Sequence, residues 1–228
     1  MENKVALCLH GYFDSRMDHT SKGSDGYNHI KKNILDKADV DVFIHSWQPE
    51  LEKHIREVYN PTGAIFEPQV DFSSKVEELK LSHMPPDSPL GRSPATILSH
   101  FYSIQKCFSL VDFSKYNLVI KSRFDLGRIN RNTSGPGKHN PYPVQCINFD
   151  PTVAPYRLYM ADWQYFDDGP ADMWFYGAPE IMKHFTTLYD DVQENLNETN
   201  VNAIQQLKWW MEHKDIWSLR QPLRSEWE

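Results

Sequence analysis

The chain has 228 residues, of which 40% are hydrophobic and 24% charged, and its formal net charge is −7. This composition is typical of a soluble globular protein with a sizeable core, and the negative charge argues against a nucleic-acid-binding protein. No apolar run is long enough to span a membrane, and the N-terminus lacks the residue order of a signal peptide. The three cysteines have no metal-ligand spacing, which indicates reduced thiols and a cytoplasmic protein.

Strand patterns alternate with helix patterns through the first half of the chain. Buried strands are predicted for KVALCLHGY (Lys4 to Tyr12), VDVFIHSW (Val40 to Trp47) and GAIFE, with amphipathic helices at YNHIKKNILDKA and PELEKHIREVY. A further helix is expected to start with Ser93 as its N-cap and Pro94 at its first position. It leads into the strand YNLVIKSRFDL, from Tyr116 to Leu126. This alternation predicts an α/β fold with a mostly parallel sheet flanked by helices.

The second half of the chain begins with a long irregular segment instead of alternating strand and helix patterns. The segment GRINRNTSGPGKHNPYP is rich in glycine and proline and too irregular for a regular element, so we expect either a functional lid or disorder. It is followed by RLYMAD, by DMWFYG and by a helix at PEIMKHFTTLY. Two more amphipathic stretches, DDVQENL and VNAIQQLKWWMEH, precede a short tail. We expect one domain with two halves, residues 1–127 and residues 128–228.

Polar and aromatic residues stand where three of the predicted strands end. In an open parallel sheet, ligands bind beyond the carboxyl ends of the strands, at the point where the strand order reverses. Histidine and aromatic side chains suit a base or ribose, arginine and lysine suit phosphate, and a carboxylate suits a hard divalent cation. The candidate binding residues are therefore His10 and Gly11, His45 and Trp47, and Lys121, Arg123 and Asp125.

Several common enzyme classes lack their motifs in this sequence. There is no P-loop, no G-x-G-x-x-G after the first strand and no G-x-S-x-G nucleophile elbow. H-E-x-x-H and C-x-x-C are also absent, which argues against the common zinc sites.

A second acidic cluster, WQYFDDGPADMWFYG, supplies further carboxylates, including Asp168 and Asp172. Two separated carboxylates suit a sugar-nucleotide transferase. One holds Mg²⁺ or Mn²⁺ against the diphosphate and neutralises the leaving group. The other is a general base for the acceptor hydroxyl if the reaction inverts the anomeric centre.

Five segments, VALCLHGY, DVFIHSW, ILSHFYSIQKCFSLV, YNLVIKSRFDL and ADMWFYGAPEIM, resemble in this order a loose family of GT-A-like glycosyltransferases. Its members occur in large DNA viruses of algae, in phages and in bacterial polysaccharide gene clusters. The resemblance covers roughly residues 4–190. It implies a GT-A-like fold and a transferase that uses a nucleotide-diphosphate sugar, in the host cytoplasm if the protein is viral.

The resemblance also implies roles for individual residues. The family's Asp-x-Asp-like motif corresponds to Arg123-Phe124-Asp125, in which only the second acid is present. A metal is therefore expected on Asp125 together with water and diphosphate, while Arg123 or Lys121 supplies charge to the phosphates. Asp172 is carried over as the acceptor-side residue, which is the base if the reaction inverts and orients the acceptor if it retains. Apart from the resemblance, Asp168 is the other candidate for the base. The arginine often found soon after the first-loop glycine corresponds to Arg16.

The sequence thus predicts transfer of a sugar to a hydroxyl of a glycan or glycoconjugate, with residues 1–127 binding the donor and residues 128–228 the acceptor. Two alternatives stay open. One is a non-catalytic nucleotide- or glycan-binding module on the same fold, and the other is a metal-dependent phosphohydrolase.

Overall fold

The computed structural model describes residues 4–13, 23–81, 93–127, 146–147, 149–154, 156–162, 169–170, 172–195 and 203–223. Within these ranges, β-strands from both halves of the chain form one sheet. They are β1 (Lys4–Gly11), β2 (Asp39–Ser46), β3 (Gly63–Phe66), β4 (Leu118–Arg123), β5 (Leu158–Ala161), β6 (Trp174–Gly177) and β7 (Arg220–Leu223).

The sheet has the order β3-β2-β1-β4-β6-β5-β7. Strand β1 lies between β2 and β4 and is parallel to both, β3 is parallel to β2, and β7 is parallel to β5. Strand β6 runs antiparallel to its neighbours β4 and β5. The interior residues of β1 are buried, as expected for a strand covered on both faces. The predicted α/β class, with a mostly parallel sheet flanked by helices, is confirmed.

Helices cover both faces of this sheet. They are α1 (Gly23–Ile30), which continues as a π-turn over Lys31–Leu35, α2 (Glu52–Tyr59), α3 (Ser73–Glu78), α4 (Pro94–Phe108), α5 (Pro179–Met182), α6 (Leu188–Asn195) and α7 (Ala203–His213). The predicted start of α4 is confirmed, since the Ser93 side chain accepts a hydrogen bond from the Thr96 N–H and Pro94 is the first helical residue.

Two hydrophobic cores lie on opposite faces of the sheet. One core packs α4, α5, α6 and α7 against Cys8 and Phe175, and the other packs α1 and α2 against Leu9 and Ile120. Because successive strand residues point to opposite faces, every second residue of β1 and β4 faces α4. That alternation decides which polar side chains meet at the strand ends.

Two elements were not predicted from the sequence. Helix α3 is short and has no buried residue, so it carries no strong apolar period. Strand β7 comes from the C-terminal tail, in which no element was recognised. It is an exposed edge strand, where Pro222 is tolerated because its missing N–H faces away from the sheet pairing. In the described part of the chain, no helix combines the length and apolar character needed to cross a membrane.

Candidate functional site

The candidate site lies at the carboxyl ends of β1 and β4. From β1 the chain builds β2 and β3 on one side of the sheet, and it then returns to place β4 on the other side of β1. This reversal of strand order is the topological switch point. In open α/β sheets, the connections leave such a point in opposite directions, and ligands bind in the crevice between them. The sequence placed its candidate residues at this edge, and the topology brings those of β1 and β4 together.

Three side chains form a row across the strand ends. His10 is in register with His45 on β2 and with Arg123 on β4. His10 lies two residues after Cys8, which belongs to the α4-side core, so this row faces α4. Lys121, two residues before Arg123, faces the same way.

Arg123 and Asp125 form a two-pronged ion pair. Arg123 Nε donates to Asp125 Oδ1 at 2.8 Å, and Arg123 Nη2 donates to Oδ2 at 2.5 Å. Nη1 lies 3.9 Å from Oδ1 of Asp172. Burial lowers the pKa of Arg123, but the charges of Asp125 and Asp172 outweigh burial and raise it. Arg123 therefore keeps its charge while 31% of its side chain stays exposed.

Lys121 is a fully buried cation. None of its surface is exposed, and its Nζ donates to the main-chain oxygen of Asp172 and lies 5.2 Å from the centre of the Phe175 ring. Burial lowers the pKa of Lys121 to about 7, although the nearby Asp172 charge opposes that shift. Lys121 thus holds the segment before β6 in place and adds positive potential from beneath the crevice.

Asp172 meets a residue that sequence reasoning missed, His100 on α4. The Nε2 atom of His100 lies 3.2 Å from Oδ2 of Asp172, with 19% and 26% of the two side chains exposed. His100 is three residues after buried Ile97 and four before buried Ile104. A polar residue on the apolar stripe of an otherwise well-specified helix was the signal that could have identified it.

His10 is a buried polar side chain without a hydrogen-bond partner in the described structure. It is 2% exposed, and neither ring nitrogen is paired. Its ring meets that of His100 edge to face, with centroids 5.1 Å apart. Burial, followed by the charges of Lys121, His100 and Arg123, lowers the pKa of His10 well below its ordinary value. The His10 ring is therefore uncharged at physiological pH and lines the site.

His45 and Trp47, the other predicted binding residues at these strand ends, are engaged within the protein. The ring nitrogens of His45 lie 2.7 Å from Ser103 Oγ and 2.9 Å from Glu67 Oε1. Burial lowers the pKa of His45, partly offset by Glu67. Trp47 is 2% exposed and stacks on Tyr102 with ring centroids 5.5 Å apart. Both contacts place these two residues beside the crevice floor.

Gly11 closes β1 with a backbone that favours glycine. Its φ is +97°, a left-handed value, and no atom lies within 4 Å of where a Cβ would stand. Beyond it, Tyr12 Oη donates to Gln69 Oε1 at 2.7 Å, and Gln69 Nε2 donates to Ser99 Oγ at 2.9 Å. These hydrogen bonds connect the end of β1 to Ser99, the residue of α4 that precedes His100.

The described residues do not form a metal centre by themselves. Both oxygens of Asp125, the predicted ligand, are bound by Arg123. In the ranges that the structure describes, no group of three or more His, Cys, Asp or Glu side chains could hold a metal ion. The metal on Asp125 stays a prediction. Arg16 and Asp168 lie outside the described residues, as do residues 128–143 of the expected lid.

Comparison with known proteins gives structural likenesses only. No protein-family model matches the chain, and no curated protein matches it. Mouse xyloside xylosyltransferase 1 in its apo form is similar with a TM-score of 0.46 and 9% identity, over 98% of this chain and 85% of that protein. A Desulfovibrio desulfuricans protein, provisionally named a nucleotide-diphospho-sugar transferase, has a TM-score of 0.41 and 13% identity, over 97% and 80%. At these scores, neither likeness carries an argument about the activity of this chain.

Proposed function

We propose that the protein is a GT-A-like glycosyltransferase that moves a sugar from a nucleotide-diphosphate sugar to a hydroxyl of a glycan or glycoconjugate. The observation that carries this proposal is the partly exposed trio Arg123, Asp125 and Asp172 at the switch point of the sheet. A charged arginine and two carboxylates beyond parallel strands suit a phosphate-bearing donor and a hydroxyl acceptor.

The donor diphosphate would bind through Arg123. A guanidinium fork that fits a carboxylate also fits a phosphate, so an incoming diphosphate would compete with Asp125 for the same donors. Lys121 lies beneath this point and adds positive potential without being exposed. The open space at Gly11 would allow the ribose or diphosphate of the donor to approach the end of β1. In this proposal His10, His45 and Trp47 complete the donor half, residues 1–127.

The acceptor would approach from the side of Asp172, which precedes β6 in the second half of the chain. As the acceptor oxygen bonds to the anomeric carbon, the bond to the diphosphate breaks and negative charge develops on the leaving group. Arg123, which keeps its charge, opposes that developing charge, and Lys121 adds to this effect to the extent that it is protonated. Mn²⁺ or Mg²⁺, when bound, would be held by Asp125 and would add positive charge beside the diphosphate.

Thermal unfolding with UDP, GDP, CDP and dTDP, each with and without Mn²⁺, tests the donor site. A nucleotide at about 100 times its dissociation constant adds roughly 2.7 kcal/mol of stability, which raises the Tm of a chain this size by roughly 5–10 °C. We expect one nucleotide to give this rise in the wild type and a much smaller rise in Arg123→Gln and Asp125→Asn. Dependence on Mn²⁺ would support a metal on Asp125.

Asp39→Asn is the matched control, because Asp39 is exposed at the opposite end of β2 and is expected to leave the nucleotide effect unchanged. The corresponding nucleotide sugar is then incubated with the protein and hydroxyl acceptors. Binding without turnover would favour the non-catalytic module, and release of inorganic phosphate would indicate a phosphohydrolase. The absence of stabilisation by all four nucleotides would contradict the donor site.

A further inference from the structure

The contact between His100 and Asp172 joins an ionisable ring to a carboxylate at the accessible part of the site. Their Nε2 and Oδ2 atoms are 3.2 Å apart, and each side chain keeps part of its surface exposed. His100 is part of α4, whose neighbouring residues Ile97 and Phe101 are buried in the core and fix the helix in place. Nε2 of His100 is buried against Asp172, so Nδ1 is the ring nitrogen that would meet a ligand.

Asp172 is surrounded by groups that stabilise its negative charge. Nη1 of Arg123 lies 3.9 Å from Oδ1, His100 lies beside Oδ2, and Lys121 Nζ binds the main-chain oxygen. These contacts engage both carboxylate oxygens, which suits Asp172 to orienting a neighbouring group rather than to taking a proton itself. An imidazole beside a carboxylate is better suited, because the carboxylate stabilises the protonated ring.

We propose that His100, oriented by Asp172, takes the proton from the acceptor hydroxyl, and that the reaction inverts the anomeric centre. This inference rests on the proposed function and assigns the base of the same site. The acceptor O–H bond breaks and its proton forms an N–H bond at Nδ1 of His100, while Nε2 faces Asp172. The oxygen's electron pair forms the bond to the anomeric carbon. The bond from that carbon to the diphosphate oxygen breaks, and its electron pair leaves with the nucleoside diphosphate.

The charges around His100 permit this proton transfer. Oδ2 of Asp172 lies 3.2 Å from Nε2 and stabilises the protonated ring, and the cations Arg123 and Lys121 stand on the nearby strand β4. His10 on β1 faces the same ring but stays neutral, because burial lowers its pKa well below the ordinary value. Asp172 thus stabilises the proton that His100 takes from the acceptor hydroxyl.

Full-length His100→Gln, His100→Ala and Asp172→Asn test the assignment, with transfer rates measured between about pH 5 and 8, where a histidine changes charge. We expect His100→Gln to lose about 10²- to 10⁴-fold in transfer rate, as for removal of a general base. Its stabilisation by the nucleotide should match the wild type, and the fall in rate at acid pH should disappear. Added imidazole should partly restore His100→Ala, and NMR of the wild-type product should show inversion.

His54→Gln is the matched control, because His54 is exposed on α2, which covers the other face of the sheet. A near-normal rate in His100→Gln, an unchanged acid limb, no imidazole rescue of His100→Ala or retention in the product would each overturn the assignment. Should the His100 variants unfold, the configuration of the wild-type product still decides it, since retention would exclude this single displacement. A wild type that neither binds nucleotide nor transfers sugar would instead contradict the proposed function itself, as distinct from the assignment of His100.

Discussion

Lys121 and Arg123 stand two residues apart on one strand, yet their surroundings give them different properties. Arg123 is partly exposed and held by two carboxylates, which raise its pKa. Lys121 is fully buried, and burial brings its pKa down to about 7. Arg123 is therefore the cation that the proposed donor would contact, and Lys121 binds the main-chain oxygen of Asp172 from the buried side.

A Lys121→Met substitution tests this division through pH dependence. The pKa of Lys121 falls from 10.5 in a free side chain to about 7 in the fold. Between those values the unfolded chain binds a proton that the folded protein has released, so wild-type stability rises with pH. From pH 7 to pH 9, the wild type should gain about 2 kcal/mol relative to Lys121→Met in urea-unfolding measurements.

The nucleotide-induced rise in Tm should also shrink in Lys121→Met, because the positive potential beneath the diphosphate is lost. Lys53→Met provides the control, since the Lys53 side chain is 92% exposed and should show neither effect. A pH dependence that is equal in wild type and Lys121→Met would show that Lys121 keeps its ordinary charge in the fold.

At the scale of elements, helix α1 supports the end of β4 through one close backbone contact. A Cβ on Gly26 would stand 1.9 Å from the carbonyl oxygen of Phe124, between Arg123 and Asp125. The glycine therefore allows α1 to lie directly on the segment that carries the site.

Gly26→Ala should destabilise the protein by about 3 kcal/mol in urea unfolding, the upper part of the usual range for overpacking. This loss would run against helix propensity, which favours alanine over glycine by about 1 kcal/mol. Binding of the nucleotide should weaken too, because Asp125 must shift. At Gly63 a Cβ would meet the side chains of Phe43 at 3.2 Å and Leu110 at 3.6 Å but no backbone atom among its nearest contacts, so Gly63→Ala should cost less than about 1 kcal/mol. Equal losses in the two variants would contradict the role assigned to Gly26.

At the scale of the whole molecule, one sheet and one α4-side core join the two halves of the chain. That core combines Phe101 and Phe108 from the first half with Phe175, Phe185 and Trp210 from the second. Antiparallel pairing of β4 with β6 crosses the same boundary. Residues from both halves of the chain are thus packed into one body.

We therefore expect a single cooperative unfolding transition. In pulsed hydrogen exchange along a urea series, peptides covering β1 and peptides covering β6 should lose protection at the same midpoint, since neither strand keeps its core without the other half. Addition of the binding nucleotide should raise both midpoints together. Separate midpoints for the two peptides would contradict this picture.

The agreement between sequence and structure is best where short-range patterns decide. Ser93 and Pro94 specify the start of α4 because capping and a preset φ act within one helical turn. Helix α3 and strand β7 were missed since each is short and mostly exposed, and so leaves no apolar period to recognise.

Local sequence patterns were enough to predict the alternation of strands and helices and the polar residues at the strand ends, because an apolar period of two or 3.6 residues lies within each element. The pairing of Arg123 with Asp125, the contact of Lys121 with Asp172 and the place of His100 in the site follow from the folded arrangement alone. The contact between His100 and Asp172 depends on two features of the fold. Helix α4 covers one face of the sheet, and β6 pairs with β4 within the sheet. Contacts between segments so far apart in the chain arise from strand order and register, which no local pattern encodes.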